Sequence, residues 1–148
     1  MKGIVIMVSL PKIVDGGLSV DDRGTVTFCN DFDFKDVKRF YMVQNHSKGF
    51  IRAWHGHKKE GKYVLVTKGT IMLSVMPLDA LGEIDTFTLS DKKPQVLFIP
   101  AGNYNGFKTL TEDAQIMFFS TSTLEESKGD DIRLSAKEFK EVWEVEER

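Results

Sequence analysis

The sequence predicts an all-β fold, a double-sheet barrel or jelly roll, on three observations. Runs rich in Val, Ile, Thr, Phe and Tyr alternate with turn residues along nearly the whole chain. The runs recur at a spacing of about 8–12 residues, as in barrels and jelly rolls. Helical character is confined to one segment near the C-terminus.

In chain order the expected strands are "GTVTFCN", "VKRFYMVQN", "GFIRAWHGH", "KYVLVTKG", "TIMLSVMPL", "DTFTLS", "QVLFIPAG" and "AQIMFFSTS". Each is dominated by β-branched and aromatic residues, which fit a pleated, half-buried surface. The segment "SAKEFKEVWEVEER" starts with Ser135 as a candidate N-cap, followed three residues later by Glu138. Its apolar residues Phe139, Val142, Trp143 and Val145 suit a short amphipathic helix packed against the barrel.

A chain of 148 residues with 41% hydrophobic composition has the size of one domain and enough apolar side chains for a proper core. No repeat, low-complexity tract or linker divides it. Net charge is −2 with both signs mixed along the chain, so no field of one sign is available to hold nucleic acid. Cys29 is the single cysteine and cannot form an internal disulfide. The apolar run in "MKGIVIMVSLPKIVDGG" is short and is interrupted by Pro11, which excludes a signal peptide or membrane span there. A cytoplasmic protein without a membrane partner is expected.

The chemistry-bearing stretch is "FIRAWHGHKKEGKYVLVTKG", residues 50–69. Arg52, His55, His57 and Lys62 lie within eleven residues on two strands joined by a short turn, and a barrel mouth can gather them. Taken alone, the two histidines suit polar, partly exposed strand positions. Together with the two cations they suit an anion-binding proton-transfer site. Strict alternation puts Ile51, Ala53, His55 and His57 on one face and Arg52 on the other, so Arg52 requires a bulge or a barrel edge to join them.

The stretch resembles the first motif of metal-binding cupins, a jelly-roll superfamily. Gly49, His55, His57 and Gly69 fall on its marks, but Lys62 stands where those proteins carry Glu. The second motif, Pro-x-Gly-x-x-His, is matched by "PAGNYN", which ends on Asn105 in place of His. A divalent ion needs neutral imidazoles and carboxylates, and an ammonium at a ligand position repels it. Glu60 is one residue short of the spacing that would supply a third ligand. No metal and no cofactor are expected.

"DDRG" at 21–24, "FYMVQNHSKGFIRAWHGH" at 40–57, "GK" at 61–62 and "IPAGNYNGF" at 99–107 resemble the dTDP-4-dehydrorhamnose 3,5-epimerase family of non-metal cupins, in order and spacing over about two-thirds of the chain. "HGHKK" and "DDIR" also resemble the related dTDP-sugar 3,4-ketoisomerases. The resemblance implies one cupin domain over residues 1–148, a cupin double-stranded β-helix. It also implies a homodimer in which the N-terminal "GIVIMVSL" pairs with the second subunit, and a nucleotide-linked 4-keto-6-deoxy sugar as substrate.

The resemblance assigns His55 as catalytic base and Lys62 as the cation beside the keto oxygen, where an enolate would form. Arg23 and Arg52 match nucleotide-binding positions, and Gln44, Asn45 and Asn105 match polar substrate contacts. Arg23 equally suits an ordinary Asp-Arg-Gly turn.

Two parts of the family pattern are missing. The tyrosine that donates a proton in the epimerases is matched by Phe118, and the acid that orients the base has no clear equivalent in "IRLSAKEF". Tyr104 or Tyr63 are the candidate replacements for the donor, each also suited to packing. His57 suits a second acid/base role in a ketoisomerase. Three classes follow: a nucleotide-sugar epimerase or 3,4-ketoisomerase, a catalytically silent sugar-nucleotide-binding cupin, and a metal-dependent cupin.

Overall fold

The computed structural model describes residues 10–148. One sheet contains β1 (Lys12–Asp15), β4 (Arg39–Gln44), β6 (Lys62–Lys68), β9 (Gln95–Ile99) and β11 (Gln115–Ser120), in the order β1-β9-β6-β11-β4. The other contains β5 (Ile51–His57), β7 (Thr70–Pro77), β8 (Asp85–Ser90), β10 (Asn103–Thr109) and β12 (Ile132–Arg133), in the order β12-β5-β10-β7-β8. All pairings are antiparallel. Strand neighbours are mostly non-consecutive, so the chain crosses repeatedly between the sheets, as a jelly roll does. Among the described residues a separate hairpin, β2 (Gly17–Asp21) and β3 (Gly24–Phe28), pairs only with itself. Among the described residues no helix is long and apolar enough to cross a membrane.

The eight expected strands are present as β3 to β9 and β11, and the structure adds β1, β2, β10 and β12 to them. Alternation then decides what is buried. Val64 and Val66 of β6, Leu73 and Val75 of β7, Leu97 of β9 and Ile116 of β11 turn inward to one core between the sheets. The intervening residues of the second sheet, Met72, Met76 and Tyr104, face outward and form a second cluster with Trp54 and Trp143.

The C-terminal segment covers that outer face. Trp54 and Leu134 exchange backbone hydrogen bonds at 3.1 and 3.2 Å. The Trp54 indole donates to the Glu138 carbonyl at 2.9 Å, and the rings of Trp54 and Trp143 lie 5.1 Å apart. Both tryptophans are buried. Truncating a buried aromatic of this size forfeits its transfer free energy and leaves a cavity, so Trp54→Ala is expected to cost about 3–5 kcal/mol. Urea unfolding of the two chains measures this. A variant as stable as the parent would show that the C-terminal segment contributes little to the fold.

The segment is not the helix its spacing predicts. Ser135 accepts from the Lys137 amide at 3.2 Å, as an N-cap would, but Phe139 takes a left-handed φ of 57° and stops any continuation. Only a 3-10 turn follows, Lys140–Trp143. The apolar side chains are drawn onto a sheet face, and tertiary packing overrides the local pattern. The α-helix of the described residues is instead α1 (Leu124–Lys128), one short stretch with a complete capping box between Thr123 and Glu126. The expected intersubunit strand "GIVIMVSL" falls on residues 3–10 and so lies, except for Leu10, outside the described residues.

Candidate active site

A pocket of about 340 Å³ opens between the two sheets. The first sheet lines it with Arg39, Tyr41 and Val43 of β4, Lys62 of β6 and Phe118 of β11. The second lines it with Arg52, His55 and His57 of β5 and Asn105 and Phe107 of β10. The chain around α1 and β12 closes one side with Leu124, Ser127, Lys128, Asp131 and Arg133.

Arg52 reaches the pocket because β5 carries an extra residue. Asn105 pairs with His55 and Phe107 with Arg52, so three steps on β5 answer two on β10. Such a bulge reverses the alternation from that point. Arg52, His55 and His57 therefore share the inner face, while Trp54 turns outward into its own cluster. Gly106 stands opposite the bulge, where an added Cβ would come within 2.5 Å of the Ala53 Cβ. Gly56 has a similar reason, since a Cβ there would sit 2.6 Å from the Tyr104 ring. The "HGH" spacing thus combines two inward imidazoles with a gap filled from outside by Tyr104.

His55 is held neutral by its surroundings in the pocket. Burial, the nearby Lys62 ammonium and the Arg133 guanidinium push it down to about 4, with Asp131 opposing them. A neutral imidazole at physiological pH can accept a proton without first losing one. Lys62 is only 6% exposed, and burial lowers it too, with Glu60 raising it. Its Nζ lies 5.9 Å from the centre of the Phe118 ring. This ammonium and His55 thus face one small volume from opposite sheets.

Lys62 and Asn105 hold the positions of the cupin Glu and His ligands. Asn105 is buried and its amide donates to the His55 carbonyl at 3.3 Å, which ties it to the β5 backbone. Glu60 does not turn toward His55. Its carboxylate contacts His57 Nε2 at 2.9 Å, Arg39 Nη2 at 3.2 Å and Ser127 Oγ at 3.1 Å, and accepts from Ser120. Among the described residues no group of three His, Cys, Asp or Glu is arranged to hold a metal ion.

The remaining sequence-predicted residues divide clearly. Tyr104 lies on the outer face with Trp54 and Met76 and does not line the pocket, because adjacent strand residues point to opposite faces and Asn105 points in. It is not placed to donate a proton there. Tyr63, the other replacement, packs outside on Phe98 and Phe32. Arg23 is exposed in the β2–β3 turn, held by the Asp21 carboxylate at 2.6 Å, and does not line the pocket of its own chain. Gln44 is exposed at the end of β4. Asn45 stands behind Arg52 and accepts from its Nε at 2.7 Å, so it orients the guanidinium rather than lining the pocket.

Several pocket residues were not singled out from the sequence. Asp131 provides the acid near His55: β12 pairs with β5, setting Arg133 opposite His55. It immediately precedes "IRLSAKEF", within the "DDIR" whose resemblance was noted. Tyr41 stacks on Phe118 with ring centres 5.0 Å apart, directly across the β4–β11 pairing. Burial raises its hydroxyl above the ordinary range, with the Glu60 charge adding to this, so it stays protonated. Arg39 also lies over the Tyr41 ring at 4.9 Å.

Comparison with known proteins agrees with this architecture. A probable low-salt glycan biosynthesis epimerase of Haloferax volcanii, Agl13, is 27% identical over 116 residues, covering 72% of this chain and 73% of the relative. The rmlC epimerase of Mycobacterium tuberculosis superposes with a TM-score of 0.74 at 18% identity, over 99% of this chain and 78% of that one. The 3,4-ketoisomerase QdtA of Thermoanaerobacterium thermosaccharolyticum gives 0.69 at 20% identity, over 86% and 90%. These superpositions establish the shared jelly-roll fold. The family model for dTDP-4-dehydrorhamnose 3,5-epimerase matches residues 12–148, and the chain belongs to that family of epimerases and isomerases.

Proposed function

We propose that this chain catalyses proton transfer at a carbon beside the ketone of a nucleotide-linked 4-keto-6-deoxy sugar, with dTDP as the nucleotide, in the assembly of deoxysugars for cell-surface glycans. The observation that carries the reading is the pairing of His55, held neutral, with the buried Lys62 ammonium across one pocket. The ketone acidifies its neighbouring C–H bonds. His55 removes such a proton, and the electron pair moves onto the keto oxygen as an enolate. Lys62 faces that charge as a fixed cation in a partly dehydrated site, where electrostatic stabilisation is strongest. Arg52, with its planar fork, suits the diphosphate. Catalysis without a metal, a cytoplasmic setting and a homodimer belong to the same proposal.

Epimerisation requires reprotonation from the face opposite His55. Tyr41, on the facing sheet and stacked on Phe118, is a protonated hydroxyl in that direction. A second reading has its own observation: His57 lines the pocket from the same strand face as His55. Two groups on one wall suit ketoisomerisation: one removes the carbon-bound proton beside the ketone, the hydroxyl proton of that carbon passes to the former keto oxygen through the enediol, and a proton returns to the adjacent carbon on the same face. Incubation with a dTDP-4-keto-6-deoxy sugar in deuterated water, followed by NMR of the product, tests both. Deuterium with an inverted centre supports the epimerase, a migrated ketone supports the isomerase, and absence of exchange overturns both in favour of a silent binding protein.

Because an ammonium and an amide occupy two usual metal-ligand positions, chelation with EDTA is expected to leave the exchange rate unchanged. Activity lost to EDTA and restored by a transition metal would overturn the metal-free mechanism.

A further inference from the structure

The proposed chemistry uses His55, Lys62 and the two candidate acids, yet the most densely bonded group of the pocket is Glu60. Its side chain is fully buried. One oxygen receives Arg39 and Ser120, and the other receives His57 Nε2 and Ser127. Burial pushes this carboxyl up, but the His57 and Ser120 hydrogen bonds and the Lys62 charge outweigh it and hold it at about 2.

A structural staple would explain a buried, bonded carboxylate if the turn had no other clamp, but it has one. The turn between β5 and β6 is held independently by Asp130, whose carboxylate accepts the Lys58 and Lys59 amides at 2.8 Å each and the Glu60 amide at 3.0 Å. Removing a carboxylate from water is costly unless its charge is used. Three pocket-lining residues touch it, Arg39, His57 and Ser127, and of these His57 is the one suited to exchange a proton.

We propose that Glu60 is a positioning residue for His57. It engages Nε2, so that Nδ1 is the ring nitrogen left to face substrate, and it stabilises the positive charge that develops when His57 takes up a proton. This rests on the proton-transfer reading above and adds to it a second, anchored imidazole beside His55. The anchor ties His57 of one sheet to the other sheet and to α1: Arg39 comes from β4 and Ser120 from β11, neighbours in the facing sheet, and Ser127 from α1.

The test has two arms. In the first, 15N-histidine NMR of the whole chain without substrate assigns the His57 ring nitrogens. A proton on Nε2, lost or shifted in Glu60→Gln, is the expected signature. A proton on Nδ1 with Nε2 bare, or a spectrum identical in Glu60→Gln, overturns the proposal. This arm holds whether or not any sugar turns over, and its wild-type half holds even if the variant fails to fold.

In the second arm, a dTDP-4-keto-6-deoxy sugar is the probe. Glu60→Gln is expected to lower kcat about 10²-fold with KM nearly unchanged, the scale of one positioned proton-transfer group. Glu60→Gln combined with His57→Asn is expected to be no slower than His57→Asn alone, since residues acting as a unit are not additive. Independent, additive losses would make Glu60 a structural residue and sink the proposal. Absence of exchange in the parent chain would instead count against the proposed function and leave the NMR arm to decide the position of His57.

Discussion

His55→Asn is expected to abolish incorporation of solvent deuterium into a dTDP-4-keto-6-deoxy sugar while dTDP affinity stays close to that of the parent. Loss of a positioned base costs about 10²–10⁴-fold in proton transfer. The amide keeps a polar group of similar reach on β5, and the ring is not among the groups that hold the bulge. The nucleotide is bound elsewhere, with Arg52 as the cation on the same strand, so binding and chemistry separate. NMR of the exchange reaction and calorimetry with dTDP measure the two quantities. Exchange at the parental rate would place the base elsewhere and return "HGH" to two polar residues at a barrel mouth.

Lys62→Met is expected to lower turnover about 10²–10³-fold, the loss typical of one preorganised group facing a developing oxyanion. Methionine fills the buried space against Phe118, so the loss reflects charge rather than packing. Lys62→Arg is expected to restore only part of the rate, because guanidinium is bulkier and spreads its charge. A pH profile gives an independent check. His55 at about 4 places the acid limb of kcat/KM there, below the ordinary histidine range. Burial is the first cause and the Lys62 charge the second, so removing that charge favours the imidazolium and moves the limb upward, though not fully to 6.5. A limb that stays in place in Lys62→Met would mean that the ammonium does not act on His55.

The sequence by itself determined the class of the fold and part of the polar lining of the pocket. Period-two patterns of β-branched and aromatic residues identify strands locally, because alternation across a pleated sheet needs no knowledge of the partner strand. The same local reading located Arg52, His55, His57 and Lys62 and required a bulge for Arg52, which the β5–β10 register supplies, while Asn105 came from the resemblance to the second cupin motif. It also contained a signal that was not used: Tyr104 and Asn105 are neighbours on one strand, so both could not face the pocket.

What the tertiary structure decided was which distant residues meet. Asp131 comes to His55 only because β12 adds to the edge of β5. Tyr41 becomes a neighbour of Phe118 only through the β4–β11 pairing, 77 residues apart by their numbers, and Glu60 meets Ser120 and Ser127 across 60 and 67 residues. The C-terminal segment carries a helical spacing, yet its aromatic side chains gain more against the outer face around Trp54 than a short exposed helix would provide. Alternation is written in neighbouring residues, whereas sheet order, register shifts and the burial they create are properties of long-range pairing, and no short stretch of chain contains them.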